Sequence, residues 1–273
     1  MKSKHNGVRA VLLWATTVIF MMPIYWLLIS SLKTDSEITM FPPTFWPRVF
    51  AWKNYPEVWH YLHFARTFMN SIIVSATATL LIVLFSTMAG YAFAKKDFIG
   101  KNILMIVLVG TMTIPAMTLL LPLFVIITRL GMYDRLIGLI LPFSVTVFGI
   151  YFMKQYIADV PDSLLEAARI DGCGEFRLFG SVVLPLIRPG LIGLTIIEFV
   201  NNWNSFTMPL VLLRSTEKYT LPLRLGLLAT ERVAIPWSMI MAANVLTIIP
   251  VVVLFLTLQK YLFKGIMDGA IKG

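Results

Sequence analysis

The sequence predicts an all-α integral membrane protein with six transmembrane helices. Three observations lead there. Of 273 residues, 58% are hydrophobic and only 14% charged, against about 25% charged in soluble domains. Mean hydropathy is +0.81. The apolar residues are gathered into runs close to the roughly 20 residues that a helix needs to cross a bilayer core, each bracketed by Lys or Arg. A soluble all-α fold of this length has no need of runs that long.

The first run, 10–32, follows Lys2, Lys4 and Arg9. It is longer than the apolar core of a signal peptide and no A-x-A cleavage site closes it, so it reads as an uncleaved first span. The other spans fall at about 69–94, 103–127, 136–157, 190–213 and 238–259. Their brackets are Arg66/Lys95, Lys101/Arg129, Arg135/Lys154, Arg188/Arg214 and Arg232/Lys260. We read one transmembrane domain over 1–273, with no internal repeat or low-complexity segment.

Six spans put both termini on one side. With the N-terminus inside, cytoplasmic segments hold only slightly more Lys and Arg than external ones. The basic N-tail and the short Lys95-Lys96-Asp97 to Lys101 loop favour that orientation locally. The external loops are then about 33–66 and 214–236, with a short one at 128–135. The first holds Phe41-Pro42-Pro43-Thr44-Phe45-Trp46-Pro47. Prolines there remove backbone donors and fix φ, which predicts an ordered, non-helical crossing. Pro23, Pro115, Pro122, Pro142 and Pro250 lie inside spans, where each frees a carbonyl and can kink its helix. In the second span Ser86, Gly90 and Ala94 recur every four residues, a stripe that lets another helix approach closely.

Net charge is +9. The basic residues flank apolar spans, where they meet anionic headgroups, so the charge points to a lipid bilayer and not to nucleic acid. Cys173 is the single cysteine, which excludes an intrachain disulfide.

The polar segment at about 158–189 stands out. Asp162 or Ser163 can cap a helix, and Ser163-x-x-Glu166 matches a capping box. Leu164, Leu165 and Ala168 share a face, and Gly172 can end the helix at positive φ. A second helix is expected over about 174–184, with Phe176, Phe179 and Val183 on one stripe, broken by Pro185 and Pro189. A helix this short is marginal in water and makes sense lying in a partner's groove.

The fifth span holds Glu198, its only acidic residue, followed by Asn201, Asn202, Trp203, Asn204 and Ser205. Glu198, Asn202 and Ser205 share a helical face near the middle of the span. Such groups must face protein or water in a membrane. Two readings stay open, an inter-helix hydrogen-bond cluster and the lining of a conduit. Amides and an acid beside an aromatic ring also suit a sugar.

Several stretches carry a resemblance. Glu166-Ala167-Ala168, then Gly172, then Val182-x-Leu184-Pro185 resemble the "EAA" loop of ABC-importer permeases. Phe152-Met153-Lys154-Gln155-Tyr156, Val160-Pro161-Asp162, Arg66 with Asn70-Ser71, and Tyr91 to Lys95 resemble the carbohydrate-uptake, maltose-type branch. So do Trp203-Asn204-x-Phe206 and the tail Tyr261 to Gly273. Val182 replaces the usual isoleucine, Cys173 a small residue, and Ser205 an acidic one. The resemblance implies a type I ABC importer permease fold in a bacterial or archaeal cytoplasmic membrane. It implies a second related permease, two ATPase subunits docked on the 158–189 loop, and an extracytoplasmic solute-binding protein that meets 214–236. It also implies that the tail reaches the ATPase and that transport proceeds by alternating access.

No phosphate-cradling G-x-x-x-x-G-K-[ST] occurs, so ATP is expected on another chain. No cofactor, metal or catalytic residue is expected. His60-x-x-His63 lacks a third ligand and reads as interfacial decoration. A secondary transporter or channel would call for charged relays in several spans. A membrane enzyme would call for a catalytic constellation at the interface.

Overall fold

The computed structural model describes residues 2–228 and 236–270, with side chains from 9 to 228 and from 236 to 261. Arg232, most of the loop end at 229–235, the side chains of 262–270 and the last residues, 271–273, lie outside the described residues. The tail contact with an ATPase, expected from Tyr261 to Gly273, therefore falls largely outside them.

The described chain is helical, with no strand. Its α-helices are α1 Lys2–Ser30, α2 Asp35–Ile38, α3 Asn54–Tyr61, α4 Phe64–Lys95 and α5 Lys101–Thr111. They continue with α6 Leu120–Arg129, α7 Ile137–Ile140, α8 Val147–Ala158, α9 Asp162–Ile170 and α10 Glu175–Leu178. The last five are α11 Leu184–Leu186, α12 Arg188–Trp203, α13 Thr207–Leu212, α14 Leu221–Leu228 and α15 Trp237–Ala270. Two compact units emerge: residues 1–65 with 224–250, and 66–223 with 251–273.

Three helical stretches are long and apolar enough to cross a membrane unbroken: Arg9–Ser30, Phe64–Lys95 and Trp237–Tyr261. Three further helix pairs pass the same length and composition test together but are bent at a break, so the described residues hold up to six spans if each pair crosses once. The kinking expected at Pro115 and Pro142 is observed as breaks of the helix, and a third bend joins the polar segment to α12. α5 and the 116–129 stretch meet at 94°, the 137–143 stretch meets α8 at 45°, and the 175–186 stretch meets α12 at 79°.

Proline explains the first two breaks. Pro115 has no N–H and sits at the elbow after α5. The carbonyls freed there are met locally: Thr111 Oγ1 donates to Leu108 O at 2.6 Å and Thr113 Oγ1 to Gly110 O at 2.8 Å, as membrane helices require. Pro142 lies in the 3₁₀ turn Leu141–Phe143, and Thr146 then caps α8 by accepting from Gly149 N at 3.0 Å. Pro23 and Pro250, by contrast, lie inside α1 and α15, which run on through them.

In the 66–223 unit, α4 and α8 approach very closely. A Cβ on Gly90 would come within 2.9 Å of Lys154 N, and one on Gly149 within 2.5 Å of Ser86 Oγ. The Ser86, Gly90, Ala94 stripe is thus a helix-packing seam. Below it, Tyr91, Met153, Ile157, Val160, Leu165, Leu178, Val183, Ile187 and Leu194 form one buried cluster. That cluster ties α4, α8 and α12 to the polar segment, so motion of the segment is mechanically linked to three helices.

In the other unit, residues 34–61 fold back on the end of α1. Asn54 Nδ2 donates to Ser31 O and Lys33 O at 2.8 and 2.9 Å, and Ala51 N to Leu32 O at 2.8 Å. The carbonyls of the three residues that follow α1 are thereby paired. The 41–47 stretch is ordered and non-helical, as its prolines predict.

Candidate functional site

The polar segment folds into two helices on the buried cluster. α9 starts at Asp162 behind Pro161, and no side chain caps it. The expected capping box is therefore corrected. The helix starts before Ser163, so Ser163 stands in the first turn and cannot cap, and Glu166 is exposed. The C-terminal expectation holds. Gly172 has φ +80°, Gly172 N donates to Arg169 O at 3.0 Å, and Cys173 N to Ala168 O at 2.9 Å, a Schellman end.

α9 divides its small residues between two faces. Leu165 is buried and Ala168 packs against the cluster, while Leu164, Ala167 and Ile170 face outward. Phe176, 89% exposed, projects from α10. Phe176, Phe179 and Val183 do not form one stripe. A π-helical turn over Phe179–Val183 widens the helix, so Leu178 and Val183, five apart, both turn inward. Val182 and Leu184 pack at the cluster's edge, and Pro185 and Pro189 sit in the first turns of the two helices flanking the 79° bend. Gly190 makes that bend compact, since a Cβ there would lie 2.6 Å from Tyr156 Cγ.

Two adjacent lysines at the end of α4 hold this segment. Lys95 Nζ donates to Val160 O at 2.6 Å and to Asp162 Oδ1 at 2.9 Å, with Ala158 O at 3.3 Å. Lys96 Nζ pairs with Glu175 Oε1 at 2.5 Å, Arg169 approaches the same oxygen at 3.5 Å, and Tyr91 Oη donates to Glu175 Oε2 at 3.0 Å. Lys96, first, and Tyr91 hold the Glu175 carboxyl below the usual carboxylate range against some desolvation. Sequence reasoning treated Lys95 and Lys96 only as span brackets. Their pairing at a helix end, facing acids at 162 and 175, was the signal available.

The second site is a cavity of about 180 Å³ within the 66–223 unit. The structure brings Glu198, Asn201, Asn202, Trp203 and Ser205 to its wall; Asn204 does not line it. The mid-span placement is corrected: α12 ends at Trp203, so these groups occupy its last turns and Ser205 belongs to the loop beyond. Glu198 is buried and accepts from Thr146 Oγ1 at 2.9 Å. Asn202 Nδ2 donates to Glu198 O at 2.8 Å, which ties it to its own helix. Trp203 is 1% exposed, stacked on Phe199 at 5.8 Å with Phe68 at its edge. Thr220 also lines the cavity; it is buried, and its hydroxyl has no hydrogen-bond partner among the described residues. Sequence reasoning missed Thr146 and Thr220, because isolated threonines in apolar stretches carry no pattern.

Above the cavity, Asp134 gathers the loop after α13. It accepts from Arg214 N and Ser215 N, both at 2.9 Å, from Lys218 Nζ at 3.0 Å, and from the Ser215 hydroxyl. Burial alone would raise its carboxyl; these bonds, led by Ser215, hold it well below the carboxylate range. Asn70 Nδ2 reaches the same loop at Glu217 O and Tyr219 O, at 2.9 and 3.0 Å. His60 and His63 do not share a helix face, since α3 ends at Tyr61 and His63 has φ +46°. Among the described residues no cluster of three or more His, Cys, Asp or Glu is placed to hold a metal.

Residues 82–268 match the family of binding-protein-dependent transport system inner membrane components. The chain is 35% identical to the arabinooligosaccharides transport system permease protein AraQ of Bacillus subtilis (strain 168), covering 99% of each. It is 30% identical to the diacetylchitobiose uptake system permease protein NgcG of Streptomyces coelicolor, over 96% of this chain and 87% of that one. In structure it is similar to a chain of a bacterial ABC transporter involved in the import of the acidic polysaccharide alginate. The TM-score is 0.83 at 25% identity, over 95% and 96% of the two chains. Broken spans, a buried cluster under a polar two-helix loop and these likenesses agree: this is a multi-pass membrane protein with an ABC-importer permease fold, and it belongs to the family of binding-protein-dependent transport system inner membrane components.

Proposed function

We propose that this chain is one permease half of an ATP-driven importer that takes a di- or oligosaccharide from an extracytoplasmic solute-binding protein. The observation that carries the reading is the outward face of α9 and α10. Leu164, Ala167, Ile170 and Phe176 are exposed on a short helix pair braced from behind by the buried cluster and the two lysines. An apolar face of this kind is placed to enter a groove on a partner. Its likeness to a chain of an ABC transporter supports an ATPase as the partner on that face, present as two copies with a second, related permease; this sequence has no phosphate-cradling loop of its own. Ser163, Glu166, Ala167, Ala168, Gly172, Val182, Leu184 and Pro185 divide the work. Glu166 and Ala167 face the ATPase, and the rest shape and brace the loop. The sugar reading draws on the relatives, named for arabinooligosaccharides and diacetylchitobiose.

Both termini and the 158–189 loop then lie in the cytoplasm, and the 214–236 loop faces the solute-binding protein outside. Glu198, Asn201, Asn202 and Ser205 line the sugar path, with Trp203 and Asn204 as its frame. At about 180 Å³ their cavity is smaller than the roughly 300–1,000 Å³ of drug-sized sites. An oligosaccharide passes only after the helices separate, which is what alternating access requires.

The test is purification through this chain, with uptake in vesicles. An ATPase should co-purify, and this chain alone should hydrolyse no ATP. Turnover by the isolated chain, or full sugar uptake without an ATPase, would falsify the reading. Cysteines at 198, 201 and 202, in a Cys173→Ser background, should react with small water-soluble thiol reagents in at least one trapped state. If they stay unreactive in every state of a working transporter, the sugar path runs along the partner.

A further inference from the structure

Residues 33–61 bury a few polar groups and expose a run of aromatic rings. Lys33, Glu37 and Asn54 are buried, while Phe41, Phe45, Trp46, Phe50, Trp52 and Trp59 are exposed, Phe41 to 91%. The buried polar groups are satisfied. Glu37 accepts from Thr44 Oγ1 at 2.7 Å and from Arg48 N at 3.0 Å, and Lys33 donates to Thr44 O beneath the Trp26 ring. The aromatics touch chiefly one another: Trp46 and Phe50 at 5.9 Å, Phe50 and Trp52 at 6.3 Å. A segment that exposes six large rings around a few satisfied buried polar groups is not built for bulk water.

Its depth can be measured against α1. The Arg9–Ser30 stretch has 22 residues, about 33 Å at 1.5 Å per residue, against a hydrocarbon core of about 30 Å. The C-terminal end of α1 therefore marks a membrane boundary. Tyr25 Oη donates to Phe45 O at 2.6 Å, and the Trp26 and Phe45 rings meet at 6.1 Å. Tyr25 lies about 7 Å back from the end of α1 at Ser30. The aromatic segment is thus tied down to the level of the last turns of the span. The bonds from Asn54 and Ala51 to residues 31–33 keep it from swinging away.

We propose that residues 41–59 form a monotopic anchor, seated in the lipid headgroup layer beside the end of α1. The occupant of this surface is lipid. The tie to Tyr25 and Trp26 sets its rings beside the last turns of α1, where Met21, Met22, Ile24 and Leu28 are exposed. Trp and Tyr favour that layer because one end of the ring is apolar and the other polar. Arg48 and Lys53, exposed among the rings, are placed to meet lipid phosphates. The proposal rests on the chain being a membrane protein and is independent of the substrate or the ATPase.

The test uses the transporter complex purified through this chain, in nanodiscs of phosphatidylcholine and phosphatidylglycerol. Nitroxide labels go on Phe45→Cys and Trp52→Cys, with the exposed Glu217→Cys, outside the segment, as the water reference, in the Cys173→Ser background. Labels at 45 and 52 should collide with oxygen over a nickel chelate at a ratio several-fold above that at 217. Ratios equal to that at 217 would place the segment in water and overturn the proposal. Protection from both reagents would also overturn it. If that protection needs added solute-binding protein, the carrier is the occupant; if it does not, a partner subunit is. Should a cysteine variant misfold, a chain retaining only Trp52 among its tryptophans reads the same question. Brominated lipid should quench its fluorescence, and no quenching overturns the anchor.

Discussion

Lys95 Nζ lies 2.9 Å from Asp162 Oδ1, joining the end of α4 to the first residue of α9. The two ends of this bridge differ. The Lys95 side chain is 7% exposed and that of Asp162 75%. An exposed carboxylate adds at most about 1 kcal/mol to such a pair. The buried ammonium also serves the Val160 and Ala158 carbonyls, and a bond to a charged donor is worth about 1.5–3 kcal/mol. Lys95→Met should therefore impair the transporter far more than Asp162→Asn. Uptake rates and ATPase retention in detergent measure the difference, and equal effects would show that the carbonyls do not matter.

Lys96 and Glu175 form a second, more exposed link, so its role can be tested by reversal. Lys96→Glu and Glu175→Lys should each loosen the ATPase, and the double swap should restore part of the loss. Tyr91 and Arg169 also contact Glu175, which makes full restoration unexpected. Retention of the ATPase across the four variants gives the coupling directly.

The division of α9 into two faces predicts opposite phenotypes for neighbouring alanines. Ala168→Arg drives a charge against the buried cluster and should lower thermal stability of the chain. Ala167→Arg projects outward and should leave stability unchanged while releasing the ATPase. Gly172→Ala should cost about 1–2 kcal/mol, since φ +80° is strained for an L-residue; thermal unfolding of the purified chain reads it.

The α4–α8 seam predicts a steric contrast between glycines. Gly90→Ala brings a methyl within 2.9 Å of Lys154 N and should destabilise by about 1–3 kcal/mol. A Cβ at Gly110 would meet nothing within 4 Å among the described residues, so Gly110→Ala should be neutral or slightly stabilising. Parallel melting curves decide it.

Asp134 predicts a pH effect. Its carboxyl is held below the ordinary range in the folded chain, so the unfolded chain binds protons first as pH falls. Its contribution is complete above the unfolded value of about 3.9 and declines below it, toward the depressed folded value. Asp134→Asn should melt lower than the parent at pH 6, with the gap closing as pH drops toward 3. A gap that stays constant would mean that the bonds to Arg214, Ser215 and Lys218 do not depend on the charge.

Much of this protein was legible from composition and local pattern. Span number follows from the length of apolar runs, because a bilayer imposes a fixed thickness on any helix that crosses it. The position of the polar loop, the Gly172 helix end and the Ser86–Gly90 seam also follow from residue type, since each depends on chemistry within one or two turns. The tertiary structure decided the rest. Which of Ala167 and Ala168 faces out depends on neighbours distant in sequence. So does the register of Leu178 and Val183 across the π-turn, which only the buried cluster could select. The bond of Thr146 to Glu198 and the lysine clamp on the 158–175 segment join residues more than fifty positions apart. No local periodicity records such pairs. They exist because packing brings the end of one helix to the start of another, where buried donors and acceptors must find partners.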